Sequence, residues 1–191
     1  MTQAFNHTNY VIRKKVLSIL GAKIHIYDSA ENLVLYSQMK AFKLKEDISL
    51  YADEDMNKEL LRIQARSIID FSATYDINDS VTGEHVGALR RKGLKSILKD
   101  EWVILDNHDT EIGTIKEDST LMALLRRVIN IIPQSFNVIL GDQTLTTYKQ
   151  NFNPFVSKIN VDFSSDPNMR FDRRLGLAAG ILLCVIEGKQ D

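Results

Sequence analysis

The sequence has very little cysteine and proline, and its N-terminus has no hydrophobic run. The one cysteine, Cys184, excludes an intramolecular disulfide. Because it lies within an apolar stretch, we expect a buried and unreactive thiol. Three prolines in 191 residues argue against long disordered linkers. Residues 1–8 are polar and lack the apolar core of a signal peptide, so we expect a cytoplasmic protein.

The sequence also lacks an excess of either charge. Its 24 basic and 25 acidic residues give a formal net charge of -1, which excludes a chain that binds polyanions with its whole surface. Any contact with nucleic acid or an anionic membrane must then come from a local basic patch. The hydrophobic fraction of 44% and the length suit one globular domain whose core needs no disulfide or metal.

Motifs for catalysis and metal binding are missing as well. The four histidines show neither HxH nor HExxH spacing, and no glycine-rich phosphate loop or nucleophile elbow is present. The acidic run at residues 53–55 is better explained by a solvated turn than by calcium, whose loops need a longer array of oxygen ligands. We therefore expect no enzyme activity, no cofactor and no metal site.

What the sequence does contain is a long series of short strand-like runs separated by turn residues. Residues 23–27 alternate polar and apolar side chains, the pattern of a half-buried strand. A helix that lies on the sheet is predicted for residues 121–131, capped by Asp118 or Ser119 and ended by Pro133. About a dozen strands are predicted, over residues 11–16, 22–27, 33–37, 48–51, 60–67, 72–79, 85–91, 102–105, 111–116, 136–140, 144–149 and 159–163.

The C-terminal segment is predicted to be a helix with no polar face. Asp172 can cap it, Gly188 can end it, and residues 175–186 are entirely apolar. Twelve helical residues span about 18 Å, well short of the roughly 30 Å hydrocarbon core of a bilayer. Arg173 and Glu187 at its ends prevent an apolar extension. The helix must therefore be enclosed by protein rather than by lipid.

The strands and the helix together predict the fold. A barrel of about eleven strands leaves room for a central helix. We therefore predict a mainly β fold, a closed antiparallel barrel of about 12 strands around the C-terminal hydrophobic helix. The small residues 176 and 178–180 would let strands approach the helix closely, and its flanking charges, Arg173, Arg174 and Glu187, should have partners at the barrel rims.

One segment, residues 90–99, has a pattern that favours binding to an anion. Five cations surround Leu94, Ile97 and Leu98 at the predicted connection between two strands, and these cations are Arg90, Arg91, Lys92, Lys95 and Lys99. Cations beside apolar side chains suit an anionic lipid surface, and cations also contact nucleic-acid backbones. The alternative is a solvated hairpin whose leucines close the barrel. Residues 13–15 would add to the patch if their strand is adjacent.

Seven segments of the chain carry a family resemblance: residues 16–28, 32–37, 89–96, 100–102, 112–115, 151–155 and 172–178. In these segments the chain resembles the tubby-like superfamily, which includes tubby proteins, phospholipid scramblases and LURP-one-related proteins. It is most similar to the LURP-one-related group. The resemblance implies a barrel around a central helix, and in tubby proteins basic side chains of this domain bind phosphoinositide headgroups. The chain lacks the cysteine-rich stretch and acidic calcium loop of scramblases, which argues against calcium-driven scrambling. The resemblance covers about residues 10–188.

These observations predict one barrel domain over residues 10–188, after a flexible N-terminus of residues 1–9 and before a tail of residues 189–191. The predicted function is a non-catalytic module that binds anionic, phosphoinositide-like headgroups through the cluster at residues 90–99. It would act at the periphery of a membrane, with no transmembrane span. A protein-interaction scaffold and a nucleic-acid-contacting protein remain alternatives, with nucleic acid less favoured. A helix-filled barrel also leaves no interior volume for a ligand.

Overall fold

The computed structural model of the protein describes residues 2–16, 21–39, 47–66, 73–92, 101–118, 134–151 and 156–186. These ranges contain a short 3-10 helix, Gln3–Phe5, and one α-helix, α1, Arg173–Ile186. They also contain twelve strands, β1 to β12 in chain order: Asn9–Val16, Ala22–Tyr27, Leu33–Met39, Asp47–Tyr51, Glu59–Ala65, Thr74–Asp79, His85–Arg91, Glu101–Leu105, Glu111–Glu117, Ser135–Leu140, Gln143–Asn151 and Val156–Asp162.

The strands form one closed antiparallel barrel in which each strand pairs with its neighbours along the chain. β1 closes the barrel because it pairs with β2 on one side and with β12 on the other. Inward side chains alternate with outward ones, as the alternation of buried and half-buried residues along β2 shows. The predicted antiparallel barrel of about 12 strands is confirmed.

The two ends of the barrel differ. At one end, which we call the acidic end, lie the connections β2–β3, β4–β5, β6–β7, β8–β9 and β10–β11, together with the segment that leads from β12 into α1. We call the other end of the barrel, where α1 terminates, the exit end. The connections between strands at the exit end lie wholly or partly outside the described residues. The helix predicted for residues 121–131 lies outside the described residues, as do Ser119 and Pro133 at its predicted ends. Of the residues in that prediction, Asp118 is described.

Helix α1 lies inside the barrel. It contacts β1 and β12 on one wall and β6 and β7 on the wall halfway around the ring of strands. All residues from Arg173 to Val185 are buried, which explains why the helix has no polar face. The inward side chains of the strands pack with the helix into one hydrophobic core. The prediction that protein encloses this helix is confirmed.

Two glycines of α1 allow the barrel wall to approach the helix. A Cβ at Gly176 would lie 2.5 Å from the ring of Phe163, and a Cβ at Gly180 would lie 2.7 Å from Cδ1 of Ile12. Neither distance is compatible with a side chain in this packing. The predicted close approach at the small residues of the helix is confirmed at these two positions.

Arg174, in the first turn of α1, is held by three carboxylates. Its guanidinium lies 2.8 Å from Asp79 Oδ2, 2.7 Å from Glu84 Oε2 and 2.7 Å from Asp172 Oδ2. Asp172 also caps the helix, because its Oδ1 accepts a hydrogen bond of 2.8 Å from the backbone N–H of Arg174. Asp79 and Glu84 come from the end of β6 and the turn that follows it, so this cluster joins the helix to the barrel wall.

Arg173 has a separate set of partners. Its Nη1 lies 3.1 Å from Oδ2 of the buried Asp166, and its guanidinium stacks 4.3 Å from the centroid of the Phe163 ring. The predicted partners of Arg173 and Arg174 at the barrel rim are therefore confirmed. The predicted partner of Glu187 lies outside the described residues.

The segment before β1 contributes to the core in the described residues. Phe5, in the 3-10 helix, is fully buried, and the Tyr10 hydroxyl donates a hydrogen bond of 3.0 Å to the Ala4 carbonyl. Burial raises the pKa of Tyr10 to about 12, against the opposing effects of a hydrogen bond from His7 and of the Arg173 charge. The flexibility predicted for residues 1–9 and the domain boundaries at residues 10 and 188 remain predictions.

Candidate binding surfaces

The predicted anion-binding cluster begins at the end of β7, where two of its cations are already paired with carboxylates. Arg90 faces outward and forms an ion pair with Glu111 on β9. Lys92 follows the strand, and its Nζ lies 2.8 Å from Oε1 of Glu101 on β8. Burial alone would raise the pKa of Glu101, but hydrogen bonding and charge from Lys92 hold that pKa below its usual value. These two cations are thus partly neutralised.

The other members of the cluster are placed differently. Arg91 is half-buried and shares the inward face of Leu89, with Trp102 directly opposite it on β8. Both of these neighbours belong to the hydrophobic core. Arg91 therefore lies at the inner edge of the exit end rather than on the outer surface. Lys95 and Lys99 lie outside the described residues, so the structure brings only part of the predicted cluster together.

The basic residues of β1 do not extend this cluster, because β1 and β7 lie on opposite walls of the barrel. Lys14 points inward, and its Nζ donates a hydrogen bond of 2.6 Å to the Cys184 carbonyl in the last turn of α1. A cation at that place also interacts favourably with the helix dipole. Of the three basic residues on β1, only Arg13 and Lys15 therefore face outward.

The outer face of β11, β12, β1 and β2 carries several cations that lie near one another. Sequence analysis did not predict that these cations are neighbours. We call Lys149, Lys158, Lys15 and Lys23, one on each of these neighbouring strands, the lysine face. Lys15 lies directly opposite Lys23, and Lys158 lies directly opposite Arg13. Like charges in such positions destabilise a sheet. Within the part of the chain that the structure describes, none of the four lysines has an ion-pair partner.

A groove with a volume of about 260 Å³ crosses the outer surface between β11, β12 and β1, beside the lysine face. The register sets its outward-facing residues in two rows across the three strands. The row nearer the acidic end consists of Thr147, Asp162 and Asn9, and the next row consists of Lys149, Asn160 and the apolar Val11. The Asp162 carboxylate accepts a hydrogen bond of 2.8 Å from the Ser164 amide. The groove therefore combines a cation, amides, a hydroxyl and a carboxylate.

The aromatic side chains beside the lysine face are covered by polar ones. The Arg13 guanidinium lies 4.9 Å from the centroid of the Tyr27 ring. Tyr36 is only 1% exposed, with the His25 ring centroid 5.1 Å from its own. The His25 Nε2 atom in turn lies 3.2 Å from Glu54 Oε1. This surface presents charge rather than open ring faces, so it is poorly suited to stacking with nucleobases.

The acidic end has the opposite character, because carboxylates far outnumber cations in its connections. Several of them accept hydrogen bonds from turn amides: Asp106 Oδ1, for example, lies 2.9 Å from both the Thr110 and the His108 backbone nitrogens. These hydrogen bonds lower the pKa of Asp106. Within the described ranges, no group of three or more His, Cys, Asp or Glu residues is arranged to hold a metal ion.

Comparisons with known proteins place this chain in a family. The model of the LURP-one-related family matches residues 33–175. Among solved structures, the chain is similar to an X-ray structure of a protein from Arabidopsis thaliana, with 9% sequence identity, a TM-score of 0.47, and coverage of 93% of this chain and 91% of that one. No curated protein matches the sequence. Among the described residues, no helix has the length and apolar character needed to cross a membrane.

Proposed function

The chain belongs to the LURP-one-related family, and we propose that this member is a non-catalytic module that binds anionic, phosphoinositide-like lipid headgroups at a membrane surface. The observation that carries the proposal is the lysine face. Its four cations come from neighbouring strands, and three of them, Lys15, Lys23 and Lys158, are directly opposite another cation. Since α1 occupies the barrel interior, the outer surface is what remains for a ligand.

The energetics of the lysine face suit a reversible attachment. A lysine near an anionic membrane surface contributes about 1 kcal/mol, so four lysines contribute on the order of 4 kcal/mol at physiological ionic strength. An anion bound between Lys15 and Lys23 would also relieve their mutual repulsion. No intramolecular ion pair among the described residues has to break first. Binding of this kind weakens as salt is added, because the exposed charges are screened.

The cluster predicted from the sequence has a secondary place in this proposal. Arg90 and Lys92 would have to leave Glu111 and Glu101 before they contact a headgroup. We propose that Arg91, Lys92, Lys95 and Lys99 add attraction at the exit end, since β7 ends and β8 begins at that end and the lysine face lies toward it. Arg90 is then the weakest contributor, because its guanidinium is already paired on the outer wall.

Vesicle co-sedimentation tests the proposal with charge reversals matched in number. We expect Lys15→Glu with Lys23→Glu to weaken binding to phosphoinositide-containing vesicles by at least about 30-fold, since the loss of two lysines alone removes about 2 kcal/mol. The matched control is Lys58→Glu with Arg170→Glu at the acidic end, which we expect to change binding far less. Equal binding of the wild-type chain to neutral and phosphoinositide vesicles at low salt would exclude the lipid function.

A third double variant, Lys95→Glu with Lys99→Glu, measures the contribution of the sequence-predicted cluster. We expect a smaller loss than for the lysine face. If only this variant loses binding, the headgroup site is the cluster at residues 90–99 and the assignment to the lysine face is wrong.

A further inference from the structure

The groove beside the lysine face contains polar side chains that the fold does not use. The side chains of Asn9, Thr147, Lys149 and Asn160 make no hydrogen bond or ion pair within the described part of the chain, and they are exposed or half-buried. Together they offer amide donors and acceptors, a hydroxyl and a cation.

The spacing of these groups is fixed by the sheet. The two rows of the groove are two residues apart along the strands, or about 7 Å, and three neighbouring strands span about 10 Å. Thr147, Asp162 and Asn9 occupy one row, and Lys149 and Asn160 occupy the next. One ring-sized ligand can therefore contact both rows at once.

The carboxylate of Asp162 decides which ligand chemistry fits. A simple phosphate would be attracted by Lys149 but repelled by Asp162, which lies across the strand pair and one row away. A hydroxyl group, in contrast, can donate a hydrogen bond to a carboxylate and accept one from an amide. The groove is thus matched to a ligand that carries phosphate at one edge and hydroxyls at the other.

The residues beyond the groove continue the same gradient. Lys158 and Arg13 form the next row toward the exit end, directly opposite each other on β12 and β1. Phosphates would therefore lie toward the exit end, near Lys149 and Lys158, because the Arg13 guanidinium already lies 3.6 Å from Glu31 Oε1. Hydroxyls would lie toward the acidic end, beside Asp162, Asn9 and Thr147.

We propose that this groove is a binding site for a phosphorylated polyol, with phosphate held by Lys149 and Lys158 and ring hydroxyls held by Asn9, Asn160 and Asp162. The ligand is either the headgroup of a membrane lipid or a free polyol phosphate. The lipid case rests on the function proposed above, whereas the free-ligand case stands without it.

Isothermal titration calorimetry with two soluble probes tests the groove. The probes are myo-inositol bisphosphate and butanediol bisphosphate, which carry the same number of phosphates but differ in ring hydroxyls. We expect the inositol compound to bind at least ten-fold more tightly. Equal affinities would overturn the proposal, because they would show that charge alone is recognised.

Two variants separate the groups of the groove. Asp162→Asn keeps an acceptor for the Ser164 amide but removes the charge, so we expect the preference for the inositol probe to fall by about ten-fold while the butanediol probe binds more tightly. Lys149→Gln should weaken both probes. Asp142→Asn, in the exposed turn between β10 and β11, is the control and should change neither affinity. An unchanged preference in Asp162→Asn would contradict the site.

Vesicles then distinguish this site from the proposed membrane function. Binding to phosphatidylserine vesicles without binding of the inositol probe would overturn the groove and leave the membrane function in place. Binding of the inositol probe without binding to any anionic vesicle would support the groove with a free ligand and reject the membrane function.

Discussion

Arg174 illustrates the cost of a charged side chain at a buried position. It lies at the N-terminal end of α1, where the helix dipole disfavours a cation. Asp79, Glu84 and Asp172 offset this effect with three short contacts. Burial alone would raise the pKa of Asp79, but hydrogen bonds from turn amides and from Arg174 lower it instead. The carboxylate is therefore kept ionised by partners that the fold provides.

We predict that Arg174→Ala lowers the free energy of unfolding by about 3–5 kcal/mol, since it leaves the buried Asp79 carboxylate without its cation. Urea denaturation measures the change. Arg170→Ala removes an exposed arginine from the same segment and should change the unfolding free energy by less than about 1 kcal/mol. Similar midpoints for wild type and Arg174→Ala would show that the cluster does not stabilise the helix.

The thiol of Cys184 should be inert in the folded protein. The residue is buried, and burial raises the pKa of its thiol, which reduces the reactive thiolate. Its Sγ lies 3.4 Å from the Ser157 hydroxyl inside the exit end. We predict slow reaction with a thiol reagent at pH 7 and rapid reaction in denaturing urea. Rapid reaction without denaturant would indicate that α1 leaves the barrel readily.

At the scale of elements, α1 and the wall formed by β12, β1 and β11 are fitted to each other without spare volume. Gly176→Ala would place a methyl group 2.5 Å from the Phe163 ring. We predict a net loss of about 1–2 kcal/mol, because overpacking outweighs the gain in helix propensity of up to about 1 kcal/mol. Thermal unfolding checks it. In a Phe163→Leu background, Gly176→Ala should lower Tm by less than it does in the wild-type chain. An equal or greater loss in that background would contradict steric overlap as the cause.

The turns of the acidic end predict how stability depends on pH. Hydrogen bonds from Asn32 lower the pKa of Asp28, and those from Thr110 and His108 lower that of Asp106. Because the folded pKa values lie below the unfolded value of about 4, the stability they contribute is present above that pH and is lost as pH falls through the folded values. We expect Tm to drop below about pH 4. Asp106→Asn should flatten this drop, and a Tm that is constant down to pH 2 would contradict the assignment.

The elements were predictable from the sequence where the local pattern carried the information. The bounds of β2 and β7 agree with the prediction, because a turn with a clear sequence signal follows β2 and another precedes β7. The prediction for the last strand was wrong at both ends. β12 begins at Val156 and ends at Asp162, and Phe163 instead begins the segment that turns into α1. Apolar residues occur on both sides of that boundary, so the alternation of apolar and polar residues does not show where the strand ends.

The candidate site was less predictable, because it depends on register between distant segments. The cations at residues 90–99 are adjacent in sequence, so they are conspicuous, yet Arg90 and Lys92 turn out to be paired with carboxylates. The lysine face is drawn from two separate parts of the chain, residues 15–23 and residues 149–158. Period-two alternation indicates which side of each strand a lysine occupies, but the pairing of β1 with both β2 and β12 is known only from the closed barrel.

For the molecule as a whole, charge is separated along the barrel axis. Carboxylates dominate the acidic end, and the lysine face lies toward the exit end within three residues of the strand termini there. A molecule with this polarity orients in the field of an anionic surface, with its exit end toward that surface and its acidic end away from it. The net charge of -1 gives no indication of this separation.

The most direct test of the account is a nuclear magnetic resonance measurement of which amides approach an anionic bilayer. Nanodiscs that contain phosphoinositide and a paramagnetic lipid broaden the signals of nearby amides. The account predicts broadening for β1 around Lys15, for β2 around Lys23 and for β12 around Lys158, with the turns at Asp55 and Asp106 unaffected. Broadening centred on the acidic end, or spread evenly over the barrel, would contradict it.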